Sequence, residues 1–131
     1  MAKVLAVFGG GLGSLGEKFK LHMNKYNSYA EVLNFNLENG YDCTIRGNVA
    51  RACGMINNSC QIYAKNSELH IVNFIGMMDN GKLGSFPTSR MERIIDTNFK
   101  TLFNVASAAM PLLKEYSGRF VTIGSNAVEM G

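Results

Sequence analysis

The chain has 131 residues, 47% of them apolar and 18% charged, with a net charge of +3. This length fits one domain, and the apolar content excludes a disordered chain, which has low hydrophobicity and high net charge. The basic residues are scattered rather than clustered on an aromatic-rich face, which argues against a nucleic-acid partner. The three cysteines lack metal-ligand spacing, so we expect no metal site. The apolar start, Met1 to Phe8, is too short for a signal peptide or a membrane span, so we expect a cytoplasmic protein with no membrane partner.

Apolar runs and helical periodicities alternate along the chain. The apolar runs predict strands at residues 3–8, 31–35, 69–75 and 119–123, and a short strand or strand end at residues 42–45. The periodicities predict helices at about 14–24, 47–65 and 89–116, the last opened by a capping-box pattern from Ser89 to Glu92. Because Phe35 and Asp42 are too close for a crossover helix, we expect two successive strands joined by a loop there. This order predicts an α/β, Rossmann-like, doubly wound parallel sheet of about five strands, in a single domain covering residues 1–131.

A glycine-rich turn follows the first predicted strand, with the sequence Gly11-Leu12-Gly13-Ser14-Leu15-Gly16. A G-x-G-x-x-G pattern between a strand and an amphipathic helix is typical of a dinucleotide-binding site. Gly11 permits the tight turn, Gly13 lets a pyrophosphate approach the backbone, and Gly16 lets the helix pack close to the strand. The N–H groups and partial positive charge of the helix N-terminus favour phosphate. A glycine-rich turn without a ligand is the alternative.

The end of the second predicted strand bears on the choice of dinucleotide. The fingerprint usually includes an acidic residue about 20 positions further on, which binds the ribose 2′-hydroxyl. The strand ends instead in Leu33-Asn34-Phe35-Asn36-Leu37-Glu38, so the expected position carries Asn34 or Asn36. Asn can bond a hydroxyl without repelling a 2′-phosphate, but no Arg or Lys stands beside it. NAD and NADP both stay open, and the missing acid slightly favours NADP.

Five segments, in order, resemble motifs of the short-chain dehydrogenase/reductase family. Residues 9–16 are similar to its T-G-x-x-x-G-x-G, and from Gly10 onwards they resemble the G-G-x-G-x-L-G form of dihydropteridine reductases. Asp42-Cys43-Thr44 resembles the D-V-T beside the adenine pocket. Residues 73–76, 96–99 and 120–125 resemble N-N-A-G, the D-x-N-x of the long helix, and the strand leading to the I-S-S motif.

The resemblance implies an oxidoreductase that transfers hydride between NAD or NADP and the carbonyl or alcohol group of a small-molecule substrate. It places the cofactor at Gly10, Gly11, Leu12, Gly13, Ser14, Leu15, Gly16, Asn34, Asp42, Asn73 and Gly76. It carries the active-site Asn and the substrate-binding Ser over to Asn98 and Ser125. It also implies a homo-oligomer that pairs through the helix at 89–116.

The family's catalytic Tyr and Lys, in Y-x-x-x-K, have no counterpart in this sequence. None of the five tyrosines is followed by Lys four residues later, and the chain reaches Gly131 soon after Ser125. We therefore expect a C-terminally truncated domain that lacks the last strands and the Tyr/Lys helix and is inactive alone. Two alternatives stay open, a non-catalytic dinucleotide-binding module and a protein that uses the fold only for interactions.

Overall fold

The computed structural model describes residues 2–11, 14–26, 29–63, 67–77 and 83–123, without the side chains of residues 26 and 83. Four strands occur in this part of the chain: β1 (Lys3–Phe8), β2 (Glu31–Phe35), β3 (Glu68–Asn73) and β4 (Arg119–Thr122). The helices are α1 (Leu15–Tyr26), α2 (Arg46–Ile62), α3 (Thr88–Ile95) and α4 (Thr101–Glu115), with a 3-10 turn at Leu83–Ser85. A π-helical turn at Asp96–Lys100 joins α3 to α4. None of the helices in the described ranges is long and apolar enough to span a membrane.

The strands form one parallel sheet in the order β2-β1-β3-β4. Phe8 lies opposite Phe35 of β2 and Asn73 of β3, so the three strands end at the same edge of the sheet. The chain places β2 on one side of β1 and then β3 and β4 on the other side, so the strand order reverses at β1. Ligands of open α/β sheets bind at the carboxyl ends of the strands at such a point. The predicted Rossmann-like parallel sheet is confirmed.

Both faces of β1 are buried, which explains its continuous apolar run. Leu5 and Val7 face α1, where Phe19 and Met23 pack against them. The alternate residues of β1 face α2 and α4, in a cluster that includes Val4, Ala6, Phe8, Val49, Ile56, Val105 and Ala109. Helices therefore cover the sheet on both sides, and the loops at the carboxyl ends of the strands are held by two packed layers.

The strand predicted at residues 42–45 is wrong, because a turn occupies this segment. Asp42 Oδ1 accepts hydrogen bonds from the backbone N–H of Thr44 at 3.0 Å and from its hydroxyl at 2.6 Å. An Asp side chain that bonds the backbone two residues on stabilises a turn instead of an extended strand. The turn leads straight into α2, so a helical crossover joins β2 to β3. The described part of the sheet therefore has four strands rather than five.

The capping box predicted at Ser89 is also wrong. Helix α3 starts at Thr88, after Pro87, and no side-chain cap hydrogen bond is present at this described helix start. Because Ser89 already lies inside the helix, its hydroxyl cannot cap it. The long helix predicted at 89–116 is otherwise present, as α3, the π turn and α4 in succession.

Candidate functional site

The turn after β1 depends on Gly9. Its φ is +85°, a left-handed conformation that favours glycine. Its N–H donates to the carbonyl of Phe35 at 2.8 Å, and a Cβ at this position would lie 2.8 Å from the backbone nitrogen of Ile75. The chain thus leaves the sheet through the narrow space between the ends of β2 and β3, where no side chain fits.

Helix α1 packs directly on the backbone of this turn. A Cβ on Gly16 would lie 2.9 Å from the Cα of Gly10 and 3.1 Å from the carbonyl oxygen of Gly9. A Cβ on Gly10 would lie 2.6 Å from Asn34 Oδ1. The three glycines therefore let the helix start, the turn and β2 approach one another closely. Leu12 and Gly13, which the sequence assigns to the same loop, lie outside the described residues.

Ser14 caps α1 and fastens the glycine loop. Its Oγ accepts a hydrogen bond from the backbone N–H of Glu17 at 3.1 Å and donates to the carbonyl of Gly11 at 2.5 Å. The N–H of Lys18 bonds the backbone carbonyl of Ser14. The first turn of α1 carries the partial positive charge of a helix N-terminus, which favours an anion.

Two adjoining cavities lie at this edge of the sheet. The larger, of about 340 Å³, is lined by Gly9, Gly11, Ser14, Asn36, Leu37, Glu38, Tyr41, Asp42, Cys43, Thr44, Phe74, Ile75, Gly76, Thr97 and Thr101. The second, of about 320 Å³, is lined by Gly9, Ser14, Leu15, Gly16, Phe74, Ile75, Gly76, Met77 and Ile123. Both include the glycine loop and the segment after β3. Together they form an elongated groove from the loop after β2 to the end of β4, a shape that suits a ligand with two nucleotide halves.

The two asparagines at the end of β2 have different positions. Asn34 lines neither cavity, and its amide Nδ2 donates to the carbonyl of Gly10 at 3.2 Å. Asn34 Oδ1 is buried and has no partner among the described residues. Asn36, the other position considered from the sequence, does line the larger cavity. Asn34 is thus placed to hold the glycine loop, and Asn36 to face the larger cavity.

Asp42 and Cys43 lie on the wall of the larger cavity. Asp42 fixes the turn into α2 through Thr44 while remaining at the surface of the cavity. Burial raises the pKa of the Cys43 thiol to about 11, and the negative charges of Asp42 and the Cys53 thiolate add to the rise. The Cys43 thiol is therefore protonated at neutral pH and contributes a small apolar surface to the wall.

Asn73 and Asn98 both bond backbone groups of the segment after β3. Asn73 is buried and lines neither cavity; its Oδ1 accepts from the N–H of Ile75 at 3.2 Å and its Nδ2 donates to the Thr122 hydroxyl at 3.3 Å. Asn98, on the π turn, accepts from the N–H of Met77 at 2.7 Å and donates to its carbonyl at 2.8 Å. Gly76, between them, lines both cavities. Ser125 lies outside the described residues.

Several lining residues were not singled out from the sequence. Glu38 and Tyr41 come from the loop after β2, and Thr97 and Thr101 lie one turn apart on the π turn and the start of α4. The Thr101 hydroxyl donates to the carbonyl of Thr97. Two features of the sequence could have indicated these residues: Glu38 lies next to an Asn-Gly turn, and the two threonines interrupt an otherwise apolar helical stripe.

Comparisons with known proteins support one family. The family model for short chain dehydrogenase matches residues 22–131. No curated protein sequence matches the chain significantly.

Solved structures of the same family share the fold. A short-chain dehydrogenase/reductase from Serratia marcescens is 19% identical, with a TM-score of 0.75, over 98% of this chain and 60% of that one. One from Burkholderia xenovorans is 18% identical, with a TM-score of 0.78, over 95% of this chain and 56% of that one. The structure of ElxO with NADP bound is 19% identical, with a TM-score of 0.74, over 95% and 56%. The chain thus spans 56–60% of the length of these proteins. Since the family model covers most of the sequence, the chain belongs to the short-chain dehydrogenase family.

Proposed function

We propose that this chain binds a nicotinamide dinucleotide in the groove at the carboxyl ends of β1, β2 and β3. The observation that carries the proposal is the glycine loop, where Gly9, Gly10 and Gly16 leave no room for a side chain. Such a loop brings backbone N–H groups against a ligand, and the start of α1 adds a partial positive charge. A pyrophosphate needs both features.

The rest of the groove fits the other parts of a dinucleotide. The loop after β2 and Asp42 offer polar groups, while Leu37, Tyr41 and Cys43 offer apolar surface. Adenine needs this combination of apolar walls and a few polar partners. Gly76 and Met77, held by Asn98, border the second cavity, where the nicotinamide half would lie.

In this proposal the chain is the cofactor-binding part of an oxidoreductase. The bound cofactor supplies the hydride that passes to or from a carbonyl or alcohol substrate. The residues of this chain bind and orient the cofactor: Ser14 fixes the phosphate loop, and Asn98 fixes the segment beside the second cavity. The similarity in fold to ElxO, whose structure has NADP bound, supports this class of cofactor.

Fluorescence titration with NADH and with NADPH tests the proposal. We expect at least one of the two to bind the 131-residue chain with saturation. Ser14→Ala removes the hydroxyl that caps α1 and holds Gly11, and we expect about fivefold weaker binding, because a lost N-cap is worth about 1 kcal/mol. Ser107→Ala is the matched control, since Ser107 is exposed on α4 and lines neither cavity of the groove.

Two results separate the alternatives. If Ser14→Ala and Ser107→Ala weaken nucleotide binding equally, the site does not lie at the glycine loop. If neither nucleotide binds at millimolar concentration, the dinucleotide-binding proposal fails in both its oxidoreductase and its binding-module form. The chain would then use the fold only for interactions.

We also propose that the chain associates with a second copy through the face of α3 and α4. Large apolar side chains are exposed there, including Phe99 at 68%, Phe103 at 53% and Met110 at 49%. Contiguous exposed apolar surface favours association. Sedimentation equilibrium of the chain should show self-association that Phe103→Ser weakens. A monomer over the whole concentration range would contradict it.

A further inference from the structure

One wall of the larger cavity is a turn that is shaped by local hydrogen bonds. Asp42, Cys43 and Thr44 form this turn and line the cavity. Thr44 bonds the side chain of Asp42 through both its N–H and its hydroxyl. The backbone carbonyl of Asp42 accepts from the N–H of Ile45 at 3.0 Å and from Asn48 Nδ2 at 3.3 Å. These bonds fix the shape of the turn, but its place against the rest of the cavity depends on contacts with other elements.

Asn104 of α4 links this turn to a helix that lies 61 residues further along the chain. Its Nδ2 donates to the backbone carbonyl of Cys43 at 2.9 Å, and both residues are buried. Thr101 lies three residues before Asn104, hence on the same side of α4, and it lines the larger cavity. One side of α4 thus supplies a lining side chain and holds the backbone of a second part of the lining.

The residue type at position 104 is explained by this bond. The other buried positions that follow it on α4 are apolar, namely Val105, Ala109 and Leu112. An Asn inside a helix is less favourable than a Leu, and a buried amide is costly unless it is hydrogen-bonded. A Leu would therefore suit the packing of the core better. What the Asn side chain adds is a donor for the carbonyl of Cys43.

Asn104 lines neither cavity of the groove, so its effect on a ligand passes through Cys43. On the basis of the proposed function, we propose that Asn104 is a positioning residue for the adenosine half of the dinucleotide. Its amide fixes the turn from Asp42 to Thr44 relative to Thr101, so that the cavity keeps its width before a ligand arrives. Without the amide, the local hydrogen bonds keep the turn folded, but the turn can move away from α4.

Replacing Asn104 by Leu removes the donor at nearly the same side-chain volume. Fluorescence titration of the 131-residue chain with NADH (NADPH if only that form binds) measures the consequence. We expect the dissociation constant to rise about fivefold, which corresponds to the loss of one typical hydrogen bond. ADP, a competitor that carries only the adenosine half, should weaken by the same factor. Nicotinamide mononucleotide, which carries the other half, should compete equally well in the wild type and the variant.

Leu112→Ala is the control for a loss of stability without a loss of positioning. Leu112 is buried on α4 and lines neither cavity of the groove. Urea denaturation should show this variant to be destabilised at least as much as Asn104→Leu, while its dissociation constant should stay within about twofold of the wild-type value. All variants are titrated at a temperature at which circular dichroism shows them folded. Asn104→Ala, which removes the amide without adding bulk, should repeat the result and replaces the Leu variant if that variant does not fold.

The possible outcomes separate this inference from the proposed function. If Asn104→Leu weakens dinucleotide binding no more than Leu112→Ala does, the positioning role is overturned and the proposed function stands. Equal weakening of ADP and nicotinamide mononucleotide has the same meaning, because it indicates a general loosening of the fold. An ADP that does not compete at millimolar concentration also overturns the role of Asn104. Failure of the wild type to bind either NADH or NADPH overturns the proposed function and this inference with it.

Discussion

Replacing Gly16 by Ala would test the packing on which the candidate site depends. The added Cβ would lie 2.9 Å from the Cα of Gly10, 3.1 Å from the carbonyl oxygen of Gly9 and 3.2 Å from Phe74 Cδ2. The first two neighbours are backbone atoms of the turn. This turn cannot move away easily, because Gly9 donates to Phe35 and lies against Ile75. Either α1 or the glycine loop must therefore shift by several tenths of an ångström.

The expected magnitude follows from two opposing terms. Ala is favoured over Gly in a helix by up to about 1 kcal/mol, and less in the first turn, where Gly16 lies. Overpacking of a tight contact costs about 1–3 kcal/mol. We expect a net loss of about 1–2 kcal/mol in the free energy of unfolding. Because the displaced atoms are those that would meet a pyrophosphate, NADH binding should weaken at least about tenfold.

Gly54→Ala is the matched control. Gly54 is exposed in the middle of α2, and a Cβ there would meet nothing within 4 Å. This variant should gain about 0.5–1 kcal/mol of stability, with unchanged NADH binding. Urea denaturation followed by circular dichroism, together with NADH titration, measures both variants. If Gly16→Ala were as stabilising as Gly54→Ala and bound NADH normally, the close approach of α1 to the loop would be refuted.

Three further outcomes are expected. Burial raises the pKa of the Cys43 and Cys60 thiols from 9.0 to about 11, which corresponds to at most about 3 kcal/mol of stability per thiol. The urea midpoint should therefore stay constant below pH 9 and fall as the pH rises to 11. Cys60→Ala should make that fall smaller, and a wild-type midpoint that does not change with pH would contradict the raised pKa values. The hydrogen bond from His70 lowers the pKa of the Glu68 carboxyl. The stability that this carboxylate contributes is therefore present above its usual pKa of 4.5 and is lost as the pH falls through the lowered value. His70→Phe should reduce this dependence of stability on acid pH, and an unchanged dependence would contradict the pairing. Asn98→Ala removes both hydrogen bonds to the segment after β3, each worth about 1 kcal/mol at most. NADH should therefore bind several-fold more weakly, with little change in the melting temperature. Binding equal to that of the wild type would show that Asn98 does not shape the groove.

The sheet was predictable because a strand buried on both faces must be apolar throughout. The run from Lys3 to Phe8 shows this, and β2, β3 and β4 were placed within two residues of their observed ends. The segment from Asp42 to Ile45 was misjudged because its sequence permits an extended conformation. What decides its structure is a hydrogen bond from Thr44 to the side chain of Asp42, a choice between local alternatives that apolar patterning does not record.

The candidate site was predictable only where a backbone requirement fixes the residue type. The glycines of the loop are of this kind, since a Cβ at Gly9 or Gly16 would collide with backbone atoms. Glu38 was not found, because the sequence pattern expects an acid at the end of the strand. The structure brings this carboxylate to Gly11 through a turn that is set by two asparagines and by Gly40, which no spacing rule describes.

The polar side chains matched to the family motifs divide into those that line the groove and those that hold its walls. Asn34 donates to Gly10, Asn73 accepts from Ile75, and Asn98 bonds both backbone groups of Met77. Each amide thus pairs with backbone groups of a segment that lies outside the strands of the sheet. The backbone around the groove is thereby fixed before a ligand arrives, so less ordering entropy is lost on binding. In this arrangement substituting one of these asparagines should loosen the groove as a whole.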